Sequence, residues 1–375
     1  MSALHPDLDP DGLLEFSVVF TDRSLNHMSA AFQQVMRDIS GMLREVYKAD
    51  GVALIPGGGT FAMEAVARQL ATGRKAMVIR NGWFSYRWTQ IFEAGNLPAE
   101  EIVMKARRTG NDRQAAFAPA PIDEVVSRIR ADKPDVVFAP HVETSAGMIL
   151  PDDYLRAVSD AVHELGGLFV LDCIASGCAW VDMKALGLDV VISAPQKGWS
   201  ASPSAGLVMM SDAALDRVRN TASNSFAVDL GKWLQMMEAY ENGGHAYHAT
   251  MPTDALRSFR NAMVEAKSHG FDRLKMAQWS QGDKVRALMA GKSFKSVAAD
   301  GFGAPGVVVS FTDDPDLHTG KAFMAHGMQI AAGVPLMVDE GPDYKSFRIG
   351  LFGIDKLKDV DASVARFKEV LDQVA

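Results

Sequence analysis

The feature that most constrains the fold is an alternation of short apolar runs with helical stretches between about residues 50 and 210. Runs such as DVVFA, LFVLD and DVVIS are apolar at consecutive positions, which is typical of strands covered on both faces. Strands of this kind, separated by helices, favour a parallel sheet with crossover connections. We predict seven strands, at 52–55, 76–80, 101–104, 135–139, 167–172, 189–193 and 206–210.

Helices are predicted between and around these strands. Helical spacing is present at 60–72, 84–94, 122–131 and 152–165, and an amphipathic helix at 28–49 precedes the sheet. After residue 250 the pattern indicates, in order, a long helical region at 252–290, a strand at 307–311, a helix near 317–326, a strand at 344–351 and a helix at 357–374.

The predicted fold class is therefore α/β. An N-terminal arm (1–22) is expected to precede a large domain (23–267), in which helices sandwich a mostly parallel, seven-stranded sheet. A smaller α+β domain (268–375) is expected to complete the chain.

Charge and cysteine content narrow the class of function. The 375 residues include 38 Lys and Arg against 46 Asp and Glu, and no long basic run, so we expect no binding to nucleic acid or to a membrane surface. No apolar run approaches the roughly 18 residues that a membrane span needs, and the first residues show no signal-peptide pattern. The only two cysteines, Cys173 and Cys178, suit a reducing compartment, which predicts a cytoplasmic protein.

A glycine-rich turn follows the first predicted strand. In Gly57-Gly58-Gly59-Thr60 the chain passes from strand to helix, and backbone amides at such a helix start can approach an anion. The alternative is a tight turn without a ligand. The segment matches neither GxGxxG nor GxxxxGK[ST]. The sequence therefore lacks the main motif that would indicate a nicotinamide dehydrogenase or a nucleotide triphosphatase.

A carboxylate and an amine are predicted to reach one edge of the sheet. Asp172 ends the strand LFVLD, and Lys197 follows the next strand, in SAPQKGWS. Taken alone, Lys197 could be a solvated loop charge. Together with the glycine-rich turn, the pair supplies what pyridoxal phosphate needs: a lysine for a Schiff base, a carboxylate for the pyridine nitrogen and backbone donors for the phosphate.

Two other polar positions stand out. Arg348 is predicted on the opposite strand face from Phe347 and Ile349, where it needs an anionic partner, either a substrate carboxylate or an internal salt bridge. His141 and Glu143 lie two apart on an extended segment and could imitate a metal pair, but nothing nearby completes a metal site. We therefore predict no metal, and a His141 that is packed or beside a cofactor.

Seven segments, in order, resemble the class V aminotransferases of fold type I, and most closely the alanine:glyoxylate and serine:glyoxylate aminotransferases. They are PGGGTFAMEA (56–65), RNGWFSYRW (80–88), HVETSAG (141–147), LDCIAS (171–176), SAPQKGW (193–199), YHATMP (247–252) and FRIGLFG (347–353). The resemblance runs from about residue 26 to the C-terminus. It implies pyridoxal phosphate as the cofactor, a homodimer, and transfer of an amino group from alanine or serine to glyoxylate or pyruvate.

The resemblance also implies a role for each matching residue. Lys197 would form the internal aldimine and then act as general base and acid, Asp172 would face the pyridine nitrogen, and Arg348 would bind the substrate carboxylate. The other implied contacts are stacking by Phe84 and Ile174, a hydrogen bond from Thr144 to the phenolic oxygen, phosphate contacts from Gly58, Gly59, Thr60 and Gln196, and phosphate contacts across the dimer from Tyr247 and Thr250.

The chain departs from the family at the substrate pocket. Many relatives have Trp where this chain has Phe84, Met28 replaces an arginine, and a glycine- and proline-rich start is missing, so the substrate stays open. Alternatives on the same scaffold are a lyase, a racemase or a desulfurase-like enzyme, and a further one is a non-catalytic pyridoxal-phosphate-binding protein. A desulfurase would need a nucleophilic cysteine on a mobile loop, whereas Cys173 follows a buried strand end. A protein that only binds the cofactor would not need Arg348.

Overall fold

A computed structural model of the chain describes residue 5 and residues 7–375. Residues 1–4 and 6 of the predicted N-terminal arm lie outside the described residues, and residues 7–29 form no helix or strand.

The helices are α1 Ala30–Tyr47, α2 Gly59–Leu70, α3 Trp83–Gly95, α4 Ile122–Asp132, α5 Asp152–His163, α6 Met183–Leu186, α7 Asp212–Arg219, α8 Leu230–Glu241, α9 Thr253–His269, α10 Phe271–Gly291, α11 Pro315–Thr319, α12 Lys321–Met324, α13 Ile354–Lys358 and α14 Val360–Val374. The strands are β1 Gly51–Pro56, β2 Lys75–Arg80, β3 Glu100–Lys105, β4 Arg107–Arg108, β5 Phe117–Ala118, β6 Val136–Pro140, β7 Val142–Glu143, β8 Met148–Ile149, β9 Leu168–Asp172, β10 Val190–Ser193, β11 Ala205–Met210, β12 Val307–Phe311, β13 Ala331–Ala332 and β14 Ser346–Gly350.

The central sheet contains the seven strands predicted from the sequence, in the order β1-β11-β10-β9-β6-β2-β3. Their ends differ from the predicted ends by at most one residue. Strand β11 is antiparallel to both of its neighbours, and all other pairs are parallel, which confirms a mostly parallel sheet. Strand β9 lies between β6 and β10 and is buried along its whole length, so its last residue, Asp172, reaches the middle of the sheet edge.

Glycines with positive φ divide two of the predicted C-terminal helical segments. The helical region predicted at 252–290 consists of two helices, because Gly270 adopts a φ of 89° and ends α9 just before α10 begins. The helix predicted near 317–326 is likewise divided by Gly320, with a φ of 82°. Positive φ is a conformation that glycine adopts readily and other residues rarely do. Within the described part of the chain, no helix combines the length and apolarity needed to cross a bilayer.

The C-terminal part has its own antiparallel sheet, in the order β12-β14-β13. Apolar residues of this sheet pack with α10, α12 and α14 in a cluster that includes Val308, Phe323, Phe347 and Leu371. A second cluster joins this part to the large sheet's connections, for example through Val142 and Val309. The division into domains at residues 267 and 268 stays a prediction.

Candidate active site

The residues predicted to bind the cofactor follow strands whose carboxyl ends lie at one edge of the central sheet. Open α/β sheets bind their ligands at this edge. The glycine-rich turn follows β1, Phe84 follows β2, Thr144 lies just beyond β6, Asp172 ends β9 and Lys197 follows β10. The topology therefore brings together residues that are far apart in the sequence.

Asp172 is a buried carboxylate with one free oxygen. Its Oδ1 accepts a hydrogen bond from the backbone N–H of Ile174 at 2.9 Å, and within the described residues Oδ2 has no hydrogen-bond partner. Burial raises the pKa of Asp172 to about 6, with a further increase from Glu143, although the Ile174 hydrogen bond and the charges of Arg87 and Lys197 oppose the rise. Such a carboxylate is stabilised by any cation that contacts Oδ2.

Lys197 presents a half-buried amine on the loop after β10. Its Nζ lies 4.9 Å from the centroid of the Phe352 ring and makes no hydrogen bond within the described part of the chain. Burial lowers the pKa of Lys197, and the positive charges of Arg348 and Arg87 lower it further, while Asp172 opposes them. A lowered pKa increases the fraction of neutral amine, which is the nucleophilic and basic form.

The glycine-rich turn offers backbone donors at the start of α2. No acceptor among the described residues takes the N–H groups of Gly58, Gly59 or Thr60, and Gly58 caps the helix without a side chain. A Cβ added at Gly58 would meet nothing within 4 Å, so space is open in front of these amides. A Cβ at Gly59 would lie 2.4 Å from Cδ1 of Ile174, so glycine is what lets Ile174 approach the turn. This arrangement fits an anion such as a phosphate.

Glu143 holds the loop that carries Phe84. Its carboxylate is fully buried and accepts hydrogen bonds from the backbone N–H groups of Phe84 at 3.2 Å and Ser85 at 2.9 Å. It also accepts from the Ser85 hydroxyl at 2.7 Å and from the backbone N–H and hydroxyl of Ser145 at 3.1 and 2.7 Å. A carboxylate at the start of α3 complements the helix dipole. Glu143 thus positions the Phe84 ring, a role that the sequence did not reveal.

His141 is a buried, packed residue. Its Nδ1 lies 2.7 Å from the hydroxyl of Ser176, and burial lowers its pKa to about 3, which keeps the ring neutral at pH 7. In the described part of the chain, no three His, Cys, Asp or Glu side chains are grouped to hold a metal ion.

Two arginines flank the ring of Phe84. The guanidinium carbon of Arg348 lies 5.6 Å from the ring centroid and that of Arg87 lies 5.3 Å from it. Nε of Arg348 donates to the carbonyl of Ala332 at 2.8 Å, and no carboxylate of the described residues lies within 4 Å of its guanidinium. Burial lowers the pKa of Arg348, although the negative charge of Glu143 opposes this. The two terminal nitrogens of Arg348 thus remain available for a ligand.

Not every predicted residue joins this group within one chain. The hydroxyls of Tyr247 and Thr250 lie 3.1 Å apart, and Tyr247 is 53% exposed, but neither forms a hydrogen bond to another predicted site residue. Gln196 is exposed beside Lys197, and Thr144 is buried without a side-chain hydrogen bond in the described part of the chain. Arg87, whose guanidinium lies beside the Phe84 ring, was not among the residues predicted from the sequence.

Comparisons with known proteins support the architecture. No protein-family model matches the chain. The soluble hydrogenase 42 kDa subunit of Anabaena cylindrica is 26% identical over 358 residues, covering 92% of this chain and 87% of that protein. Alanine–glyoxylate aminotransferase 1 of Saccharomyces cerevisiae is 26% identical over 356 residues, covering 88% and 86%. The crystal structure of an alanine–glyoxylate aminotransferase from Nostoc sp. superposes with a TM-score of 0.78, at 22% identity and over 93% and 89% of the two chains.

The fold is therefore that of the fold type I pyridoxal-phosphate-dependent aminotransferases, as predicted. The aminotransferase relatives confirm the predicted resemblance, the enzyme class and the cofactor. Within that class, the chain is similar to alanine–glyoxylate aminotransferases. The residues present fit pyridoxal phosphate, since they offer three amides, one carboxylate oxygen and one amine that have no hydrogen-bond partner among the residues that the structure describes.

Proposed function

We propose that this chain is a pyridoxal-phosphate-dependent aminotransferase that moves an amino group from a small amino acid, such as alanine or serine, to a small 2-oxo acid, such as glyoxylate or pyruvate. One observation carries the proposal: the unpartnered amine of Lys197 and the free oxygen of Asp172 share a sheet edge with a helix start whose amides are free. The relatives named alanine–glyoxylate aminotransferase support the substrate class.

The cofactor, when bound, supplies an electron sink for the negative charge that develops at the substrate Cα. Oδ2 of Asp172 would pair with the ring nitrogen and hold it protonated. Phe84, kept in place by Glu143, would stack on the ring. The other residues that would hold the cofactor are Ile174 against the second ring face, Thr144 at the phenolic oxygen, and Gly58, Gly59, Thr60 and Gln196 at the phosphate.

Lys197 and Arg348 would act on the substrate. The terminal nitrogens of Arg348 would bind the α-carboxylate in a bidentate pair, because Nε is already occupied by the Ala332 carbonyl. The neutral Nζ of Lys197 would take the proton from the substrate Cα and deliver it to C4′ of the cofactor, and hydrolysis would then release the 2-oxo acid and leave the amino group on the cofactor. The lowered pKa of Lys197 supports this role, since it favours the neutral amine.

The cysteines and Arg348 favour this reaction over two of its alternatives, a desulfurase-like enzyme and a protein that only binds the cofactor. Burial raises the pKa of Cys178 to about 12 and that of Cys173 still higher, so both remain thiols, unlike the nucleophile of a desulfurase. A protein that only bound the cofactor would gain nothing from an arginine with free terminal nitrogens.

A half-reaction screen tests the proposed function. Holoenzyme is mixed with single amino acids, and loss of the yellow absorbance is followed, with D-alanine as the control. We expect L-alanine or L-serine to bleach the cofactor, pyridoxamine phosphate to appear after denaturation, and glyoxylate or pyruvate to restore the colour. Bleaching with release of a fragment of the amino acid would instead indicate a lyase, and no bleaching by any amino acid would indicate a protein that only binds the cofactor.

The active protein is further proposed to be a cytoplasmic homodimer. Tyr247 and Thr250 present two adjacent hydroxyls on the surface. Phe226, whose carbonyl oxygen lies 2.8 Å from Nε2 of His248, is 76% exposed, so a surface with both polar and apolar groups is open to a second copy. In this arrangement both hydroxyls would contact the phosphate bound by the partner. Two free cysteines, both buried, are compatible with a reducing compartment.

Complementation tests the shared site. Inactive Lys197→Ala subunits are mixed, after reversible dissociation and at limiting cofactor, with subunits that carry Tyr247→Phe and Thr250→Ala. One site of each hybrid dimer would then combine Lys197 from one chain with both hydroxyls from the other, so activity should exceed the sum of the parents. Activity equal to that sum, with hybrids demonstrated by native mass spectrometry, would mean that the site is not shared.

A further inference from the structure

Arg87 lies between the ring of Phe84 and the glycine-rich turn. It belongs to α3, one helical turn beyond Phe84, and its Nη1 donates to the hydroxyl of Thr60 at 3.1 Å. Its guanidinium carbon lies 5.3 Å from the centroid of the Phe84 ring. The side chain therefore joins the two parts of the site that would contact the cofactor ring and the cofactor phosphate.

The guanidinium of Arg87 forms no ion pair with a carboxylate in the part of the chain that the structure describes. The side chain is half-buried, and no carboxylate within the described residues lies within 4 Å of it. Thr60 belongs to the first turn of α2, where the free amides and the helix dipole already present positive charge. A second cation at this position is unfavourable unless an anion also contacts it.

The surrounding charges do not compensate for Arg87. Lys197 and Arg348 add two further positive charges, and Arg87 is one cause of the lowered pKa of Lys197. Of the two nearby carboxylates, Glu143 is occupied by its five hydrogen bonds. Asp172 forms no ion pair with Arg87 within 4 Å, although the charge of Arg87 helps to lower the pKa of Asp172. The site thus carries an excess of positive charge next to α2.

We propose that Arg87 is a phosphate-binding residue of the cofactor site, and that it supplies the cation that Gly57-Gly58-Gly59-Thr60 lacks. The proposal rests on the proposed function. The planar guanidinium can donate to a phosphate oxygen from one nitrogen while another keeps the hydrogen bond to Thr60, whereas a lysine would have to make both contacts from a single nitrogen without this planar geometry. Arg87 then also sets the position of the Thr60 hydroxyl at the phosphate.

A comparison of two ligands distinguishes the loss of a phosphate contact from a general loss of cofactor binding. The affinities of apoenzyme for pyridoxal phosphate and for pyridoxal, which lacks the phosphate, are measured by absorbance for the wild type, Arg87→Met and Arg87→Lys. Arg128→Met removes an exposed arginine of α4 and is the matched control. We expect Arg87→Met to weaken pyridoxal phosphate binding by about 10- to 100-fold and pyridoxal binding by less than about threefold, with Arg87→Lys between the wild type and Arg87→Met.

Inorganic phosphate provides a second binding test that does not depend on catalysis. Phosphate should raise the melting temperature of wild-type and Arg128→Met apoenzyme, and should do so much less for Arg87→Met. An equal loss of affinity for both pyridoxal compounds, or unchanged protection by phosphate in Arg87→Met, would overturn the assignment. If wild-type protein bound no pyridoxal phosphate at all, the proposed function would fail, and the phosphate arm would still decide whether Arg87 binds this anion.

Discussion

Asp172→Asn is expected to lower kcat for transamination by about three orders of magnitude in a protein that still folds. An ion pair at hydrogen-bonding distance is worth roughly 5 kcal/mol at an effective dielectric constant of 20, and the neutral amide cannot hold the ring nitrogen protonated. The amide oxygen can still accept the Ile174 hydrogen bond, so the strand end should keep its structure. Steady-state kinetics and the cofactor content of the variant check this result, and near-normal turnover would refute the role of Asp172.

The same substitution should not destabilise the apoenzyme at pH 7. Because the pKa of Asp172 is about 6 in the folded protein, above its ordinary value, the folded state holds this proton more tightly than the unfolded state. The stability that the protonated carboxyl gives to the folded state is therefore lost as pH rises from about 4 to about 6. At pH 7 the ionised carboxylate lowers the free energy of unfolding of the apoenzyme by roughly 3 kcal/mol. We expect urea unfolding at pH 7 to show Asp172→Asn apoenzyme at least as stable as the wild type, with Asp300→Asn, an exposed position, unchanged.

Arg348→Lys is expected to lower kcat/KM for amino and oxo acids by at least about 100-fold, mainly through KM. Loss of a bidentate, charge-assisted carboxylate pair in a half-buried site removes roughly 3 kcal/mol or more, and one ammonium group cannot replace two parallel donors. The affinity for pyridoxal phosphate should change by less than about threefold.

Amines that lack a carboxylate provide the control for Arg348. Their slow half-reaction rates should be the same in the wild type and in Arg348→Lys, because they cannot use the guanidinium. A collapse of cofactor affinity with unchanged KM would instead make Arg348 a structural residue.

The sheet and the main site could be predicted because both follow from local pattern and topology. Strands such as β6, β9 and β10 are apolar at consecutive positions, which identifies them without knowledge of their neighbours. Asp172 and Lys197 directly follow such strands, so parallel pairing places them at one edge.

The features that sequence reasoning missed depend on tertiary contacts. Glu143 receives its backbone hydrogen bonds from Phe84 and Ser85, 59 and 58 residues away in the sequence. Arg87 resembles any exposed helical arginine until Thr60 is brought beside it. A single glycine costs only about 1 kcal/mol in a helical pattern, so the sequence pattern at 317–326 does not show that Gly320 divides the helix.

Reduction of the purified yellow protein with borohydride, followed by proteolysis and mass spectrometry, tests the central claim most directly, because it fixes the cofactor to the amine that holds it. The unpartnered amine of Lys197, beside Asp172 and the free amides of α2, predicts a phosphopyridoxyl label on the peptide that contains Lys197 and none in Lys197→Ala. A label on Lys184, an exposed lysine paired with Asp50, or on any other lysine would contradict the account.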